Sequence, residues 1–228
     1  MAIILFDGEG AIHEIPKCAS DYIARVLEHN KISFNQTHLP GRANPRCCGI
    51  QNIVMGAGSS HCIPDDSPFY QIAKERNNVI CFVRHPLKWL MSWWKYAEEH
   101  IQGLPDKPGK ALARSWKPTS RFDADCCSRD FNDFIDLVIA EFPGVVTEFF
   151  NSYIEESNHV GRVEEIDKTL KHYIAWTLQE NIKTDIPRTN TTSINAFYTK
   201  AQAEKILELE HDLVRYFQYD YIPGGSVE

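Results

Sequence analysis

The sequence predicts an α/β protein in which a mainly parallel sheet is flanked by helices and the C-terminal half of the chain is helical. Before residue 100, apolar runs typical of strands are followed twice by a turn and an amphipathic helix, which favours a parallel sheet. After residue 128, four segments repeat apolar residues at intervals of three and four, the spacing of one helix face. Because 228 residues suit one hydrophobic core, we expect a single domain over residues 1–228.

Apolar patterning predicts the first elements. The runs AIILF and AIHEI predict two short strands, SDYIARVLEHN predicts a helix, and KISFNQTHL and GIQNIVMGAG predict further strands. A short helix capped by Asp65, Asp66 or Ser67 then precedes VICFV, which is the clearest buried strand. Pro86 begins the next helix, because proline favours the first turn.

The second half contains one irregular stretch and four predicted helices. Residues 102–128 hold three prolines, two glycines and no apolar period, so we expect a loop there that borders the functional site. The helices are predicted in DFNDFIDLVIAEF, PGVVTEFFNSYIEE, IDKTLKHYIAWTLQE and TKAQAEKILELEHDLVRYF, with HVGRVE as a strand between the second and the third.

Charge and cysteine content limit the functional classes. The chain has 24 Lys and Arg against 31 Asp and Glu, and a net charge of −7 argues against a nucleic-acid or anionic-membrane binder. The seven cysteines are odd in number and include two vicinal pairs, which is not a disulfide framework and is an unusual spacing for zinc. With no apolar run of membrane length and no basic leader, we expect a cytoplasmic protein without a membrane span.

The turn between the second strand and the first helix predicts an anion site. Lys17 and small residues occupy this turn, and the free N–H groups and the dipole of a helix N-terminus attract anions. A Walker A loop is absent, which removes the main support for ATP chemistry. Arg84 ends the strand VICFV, and Ser92 follows it by eight positions. Since ligands of such sheets bind beyond the strand ends, we expect Lys17, Arg84 and His61 to face one site.

These motifs resemble those of the sulfotransferases that use 3′-phosphoadenosine 5′-phosphosulfate (PAPS). The stretch PKCASDY, residues 16–22, resembles the family's first motif, and VRHPLKWLMS resembles its second. The resemblance implies a P-loop NTPase-like sheet, transfer of a sulfuryl group to a hydroxyl acceptor, and no required metal. It implies that Arg84 and Ser92 bind the 3′-phosphate and that Lys17 stabilises the leaving oxygen. The 5′-phosphosulfate would be held by the backbone N–H groups of Cys18, Ala19, Ser20, Asp21 and Tyr22.

Three further residues are candidates for the site. His61 matches the catalytic base of cytosolic members. Because strand side chains alternate, one of His13 and Glu14, just before the turn, is expected to face the pocket, and Glu14 is the reserve base. Arg188 is a further candidate for the 3′-phosphate, in the loop PRTNTT. HVGRVEEI and the tail from residue 188 resemble carbohydrate-type members, so the implied acceptor is a small molecule or a carbohydrate.

Two positions depart from the family pattern, and two other functions stay open. Ala19 replaces a glycine, which is tolerable only if this residue does not need a positive φ. Asp21 replaces a hydroxyl, and its carboxylate would repel the ligand unless it turns outward or contacts first-turn amides. The alternatives are a P-loop-like nucleotide kinase or hydrolase, and a non-catalytic nucleotide-binding module of the same fold. The three tryptophans after Pro86 are expected to be core or cleft residues.

Overall fold

A five-stranded mixed sheet organises the first part of the fold. The computed structural model describes residues 2–37, 54, 67–100, 120–187, 196–224 and 226–227. In the described residues the strands lie in the order β3-β1-β2-β4-β5. Their bounds are Ala2–Leu5 (β1), Gly10–His13 (β2), Phe34–Thr37 (β3), Val79–Val83 (β4) and His159–Arg162 (β5).

The sheet is mixed, whereas a mainly parallel sheet was predicted, and the difference lies in β1. Strand β2 pairs in parallel with β4, and β4 with β5, whereas β1 is antiparallel to both β2 and β3. Four strands therefore share one direction and β1 opposes them. The reason is the short connection after β1: a 3-10 turn at Phe6–Gly8 returns the chain at once, and a parallel crossover needs a dozen or so residues. The α/β class is confirmed, and the finer P-loop-like assignment stays a prediction.

The described helices match most of the predicted segments. Their bounds are Ser20–His29 (α1), Pro68–Glu75 (α2), Pro86–His100 (α3), Arg121–Asp125 (α4), Phe131–Glu141 (α5), Val145–Ile154 (α6), Ile166–Leu178 (α7), Lys200–Leu209 (α8) and His211–Phe217 (α9). Ser67 caps α2, as one of the predicted alternatives. The short helix α4 lies inside the stretch expected to be irregular, capped by the Ser120 hydroxyl. The predicted tail helix is broken at Glu210.

The chain divides into two compact units, each assembled from separate segments. The first takes its described residues from Met1–Cys48, Gly58–Arg84 and Phe150–Thr192, and it contains the sheet with α1, α2 and α7. Helices α1 and α7 pack their apolar faces on the strand residues Ile3, Leu5, Ile12, Ile80 and Phe82. The expected single domain stays a prediction.

The second unit is helical. It takes its described residues from Gly49–Ala57, His85–Phe149 and Ser193–Glu228, and within it α8 packs against α3 and α5. The Glu210 carboxylate, at the break between α8 and α9, accepts hydrogen bonds from the N–H groups of Val146 and Thr147 at 3.1 and 2.7 Å. This buried cap satisfies two donors at the start of α6 that lack intrahelical partners.

Candidate functional site

The turn between β2 and α1 has an unusual backbone. Lys17 and Ala19 have φ of 64° and 68°, both in the left-handed region, with Cys18 between them. Ala19 therefore has the positive φ that makes the replacement of glycine unfavourable: the chain keeps the geometry that glycine would adopt freely and carries a methyl group there. An N-cap residue normally has extended dihedrals, whereas Ala19 is the N-cap of α1 with ψ of 26°. Strain of this kind concentrates at functional turns.

The backbone N–H groups at this turn divide into two sets. The N–H of Cys18 donates to the carbonyl of Ile15 at 3.1 Å, so it closes the turn. The first bond of the helical pattern runs from the N–H of Ile23 to the carbonyl of Ala19 at 3.0 Å. The N–H groups of residues 20–22 therefore precede the helical ladder, in the position where helices bind anions.

Arg84 is brought to this turn by the sheet. Because β2 and β4 are parallel neighbours, their carboxyl ends lie side by side, and the residues following them meet. The half-buried Arg84 side chain donates a hydrogen bond from Nη1 to the carbonyl oxygen of Lys17 at 3.1 Å. The Arg84 guanidinium therefore stabilises the strained turn through this hydrogen bond. Two cationic residues, Lys17 and Arg84, are thus in contact within the first unit.

Glu14 is a buried carboxyl group at the same end of β2. The residue is 1% exposed, and its Oε1 accepts a hydrogen bond from Nε2 of Gln36 at 2.6 Å. Its Oε2 is buried without a hydrogen-bond partner among the described residues. Burial raises the pKa of this carboxyl above its usual range, and the Asp21 charge acts in the same direction, while the hydrogen bond from Gln36 opposes the shift. Sequence reasoning did not identify Gln36.

The other turn side chains have distinct surroundings. Cys18 is buried, and burial raises the pKa of its thiol well above the ordinary value against the pull of Arg84, so it stays a neutral thiol. Asp21 is exposed on the first turn of α1, as expected for an outward carboxylate, and Ser20 is half-buried. Tyr22 points into the core, where its hydroxyl donates to the Asp167 carboxylate and contacts the Thr184 carbonyl.

For three predicted site residues, a place at the turn stays a prediction. Ser92 is half-buried on α3 and belongs to the second unit, and its contact with a nucleotide stays a prediction. His61 and Arg188 lie outside the described residues, as does the strand predicted at GIQNIVMGAG. The tryptophans Trp89, Trp93 and Trp94 are buried, which agrees with the expected core position.

A histidine network in the first unit is structural. His13 is buried on β2, with Nδ1 at 3.0 Å from the Ser157 hydroxyl and Nε2 at 2.9 Å from the Tyr70 hydroxyl. The Ser157 hydroxyl donates to the Tyr153 carbonyl at 2.9 Å, so its one proton is used and His13 Nδ1 must be the donor. Burial lowers the pKa of His13 to about 3. The serine is therefore held by a neutral imidazole that cannot deprotonate it.

Two shallow grooves in the first unit lie elsewhere. Their volumes are about 620 and 630 Å³, and Glu28 lines both, near the C-terminal end of α1. Neither groove is lined by Lys17 or Arg84.

Among the residues that the structure describes, no three His, Cys, Asp or Glu side chains form a group that could hold a metal ion. No helix in the described ranges has the length and apolarity needed to cross a membrane.

Comparison with known proteins finds no matching family model, no similar curated protein and no similar solved structure.

Proposed function

We propose that this protein is a sulfotransferase that moves a sulfuryl group from PAPS to a hydroxyl acceptor, a small molecule or a carbohydrate. The observation that carries the proposal is the hydrogen bond from Arg84 to the Lys17 carbonyl, which unites the two predicted nucleotide-binding motifs at one strained turn. The motifs lie 67 residues apart in the sequence, so their meeting is not a consequence of chain proximity. We also propose a cytoplasmic location, since the described cysteines Cys18, Cys81, Cys126 and Cys127 are free thiols.

The proposed chemistry is an in-line transfer without a required metal. The acceptor oxygen forms a bond to sulfur as the bond from sulfur to the phosphate oxygen breaks, and the acceptor proton passes to a base, His61 or Glu14. The Lys17 ammonium stabilises the charge that develops on the leaving oxygen, and the N–H groups at the start of α1 hold the phosphosulfate. Arg84, with Ser92 and Arg188, binds the 3′-phosphate through charge-assisted hydrogen bonds.

A non-catalytic nucleotide-binding module remains the second candidate. The observation that favours it is Asp21, whose carboxylate stands in the first turn of α1, where a family hydroxyl would contact the phosphate. A negative charge there opposes the binding of an anion, although it also stabilises the helix end. Binding without turnover would be the signature of this second candidate.

Thermal unfolding with nucleotides tests the donor class. With adenosine 3′,5′-bisphosphate at 100 times its Kd we expect a stabilisation of about 2.7 kcal/mol, which corresponds to a rise in Tm of roughly 5–10 °C. ATP with Mg²⁺ should give no comparable shift. A larger effect of ATP would favour the kinase or hydrolase alternative, and no effect of either nucleotide would contradict the proposal.

Two substitutions separate the proposed roles. Lys17→Ala should lower turnover by about 10²–10³-fold with a smaller change in affinity. Arg84→Ala should weaken nucleotide binding by about 10–100-fold, since a charged hydrogen bond is lost. Lys31→Ala is the matched control for Lys17, because Lys31 also has a left-handed φ, of 57°. Arg76→Ala, an exposed arginine before β4, is the control for Arg84. The opposite pattern of effects would reverse the two roles.

A further inference from the structure

The charge balance around the Lys17 turn presents a physical problem. An anion bound there meets two carboxyl groups: Asp21, exposed on the first turn of α1, and Glu14, buried below the turn. Each added negative charge raises the free energy of a nearby ionised carboxylate, and this repulsion is weakly screened when the group is buried. The site must therefore tolerate the repulsion or remove it.

The surroundings of Glu14 favour uptake of a proton by its carboxyl group, which would remove its repulsion with a bound anion. Its Oε1 is occupied by the Gln36 amide at 2.6 Å, which fixes the orientation of the carboxyl group. Its Oε2 has no hydrogen-bond partner among the described residues, so an ionised carboxylate keeps an unsatisfied charged oxygen away from water. A neutral carboxyl group costs less at such a position than a charged one.

The groups that face Glu14 come from two described elements. From α1, Asp21 favours the protonated form, and from β3, the neutral Gln36 amide favours the ionised form. An anion bound at the turn would add a negative charge that acts on Glu14 in the same direction as Asp21, toward the protonated form. Binding therefore adds repulsion to the ionised carboxylate.

We propose that anion binding at the Lys17 turn is coupled to the uptake of one proton by Glu14. The proton comes from solvent and forms an O–H bond on Oε2, and no electrons are transferred. The inference rests on the proposed nucleotide site. It also assigns Glu14 to donor binding rather than to deprotonation of the acceptor, because a protonated carboxyl group cannot accept a second proton and its 1% exposure keeps it from an acceptor. The base role then falls to His61.

Isothermal titration calorimetry tests the coupling, with adenosine 3′,5′-bisphosphate as the probe. Titrations in buffers of different ionisation enthalpy give the number of protons taken up at each pH. We expect an uptake that approaches one proton at its maximum, and an affinity that falls up to about tenfold per pH unit above it. Glu14→Gln should bind with this uptake removed, and subtracting its value corrects for protons taken up by the nucleotide phosphates. Glu28→Gln, which changes an exposed glutamate on α1, should retain the full uptake.

A second variant and a second readout keep the inference testable if Glu14→Gln fails to fold. Gln36→Leu removes the bond that favours the ionised form, so the pH of maximal uptake should move upward. Binding should also produce an infrared difference band of a protonated carboxyl group in the wild type. Nucleotide binding with equal uptake in wild type and Glu14→Gln, or with no shift in Gln36→Leu, would overturn the inference and leave the proposed function standing. A failure of the wild type to bind at any pH would instead overturn the proposed function, and the coupling with it.

Discussion

Replacement of Ala19 by glycine tests whether the turn before α1 is strained. An L-residue in the left-handed region costs about 1–2 kcal/mol, and Ala19→Gly removes that cost. Glycine adds about 0.4–1 kcal/mol of chain entropy to the unfolded state, and the loss of a half-buried methyl group adds about 0.4 kcal/mol. The sum predicts a free energy of unfolding that is unchanged or raised by up to about 1 kcal/mol.

Ala24→Gly is the matched control for this prediction. Ala24 lies inside α1, is half-buried and packs on the same core as Ala19. Glycine in a helix interior costs about 1 kcal/mol, and the lost methyl adds to it. We therefore expect the two variants to differ by about 2 kcal/mol in urea unfolding, or roughly 4–8 °C in Tm. Equal destabilisation by the two substitutions would show that Ala19 carries no strain.

Two other substitutions test the packing of the fold. Glu210→Gln replaces one of the two acceptors of the buried cap with a donor, so we expect a loss of about 1–3 kcal/mol in the free energy of unfolding, against little change for the exposed Glu204→Gln. Gly8→Ala should lower the free energy of unfolding by at least about 2 kcal/mol, because Gly8 has a φ of 102° and a Cβ there would lie 2.7 Å from the Phe69 carbonyl oxygen. Gly224→Ala is its control, since a Cβ at Gly224 meets no atom within 4 Å. Retained stability in either test variant, measured by urea titration, would contradict the corresponding contact.

Local patterns in the sequence predicted the elements better than their directions. The strand predicted at VICFV matches β4 at both ends, because polar residues on each side of a wholly apolar run define where the strand begins and ends. The cap of α2 was predicted only as one of Asp65, Asp66 and Ser67, and the structure shows that it is Ser67. The reversal of β1 depends on how residues 6–9 turn, and the apolar pattern is the same for either strand direction.

For the same reason, the sequence predicted only part of the candidate site. The positions of Lys17 and Arg84 after two apolar runs were enough to expect them near each other, because parallel strands align their ends. The Gln36 contact with Glu14 had no sequence signal: the two residues lie 22 positions apart, Glu14 directly after β2 and Gln36 on β3, and β1 separates these two strands. The left-handed φ of Ala19 was hidden because alanine carries no preference for it.

His13 makes the stability of the first unit depend on pH. Its imidazole is neutral and hydrogen-bonded between Tyr70 and Ser157, and burial lowers its pKa from 6.5 to about 3. As pH falls below 6.5 the unfolded chain binds a proton that the folded protein does not, so folding stability is full above that pH and is lost progressively down to about 3.

The matched variant His13→Gln isolates this effect, because glutamine keeps a donor and an acceptor but does not titrate. Between pH 7 and pH 5 we expect the wild type to lose about 2 kcal/mol relative to the variant, measured as free energies of unfolding in urea at each pH. The carboxylates titrate in both proteins, so the difference between them reports His13 alone. A gap that stays constant across this range would mean that the buried imidazole takes up its proton in the folded protein as readily as in the unfolded chain, and the neutral bridge between Tyr70 and Ser157 would have to be abandoned.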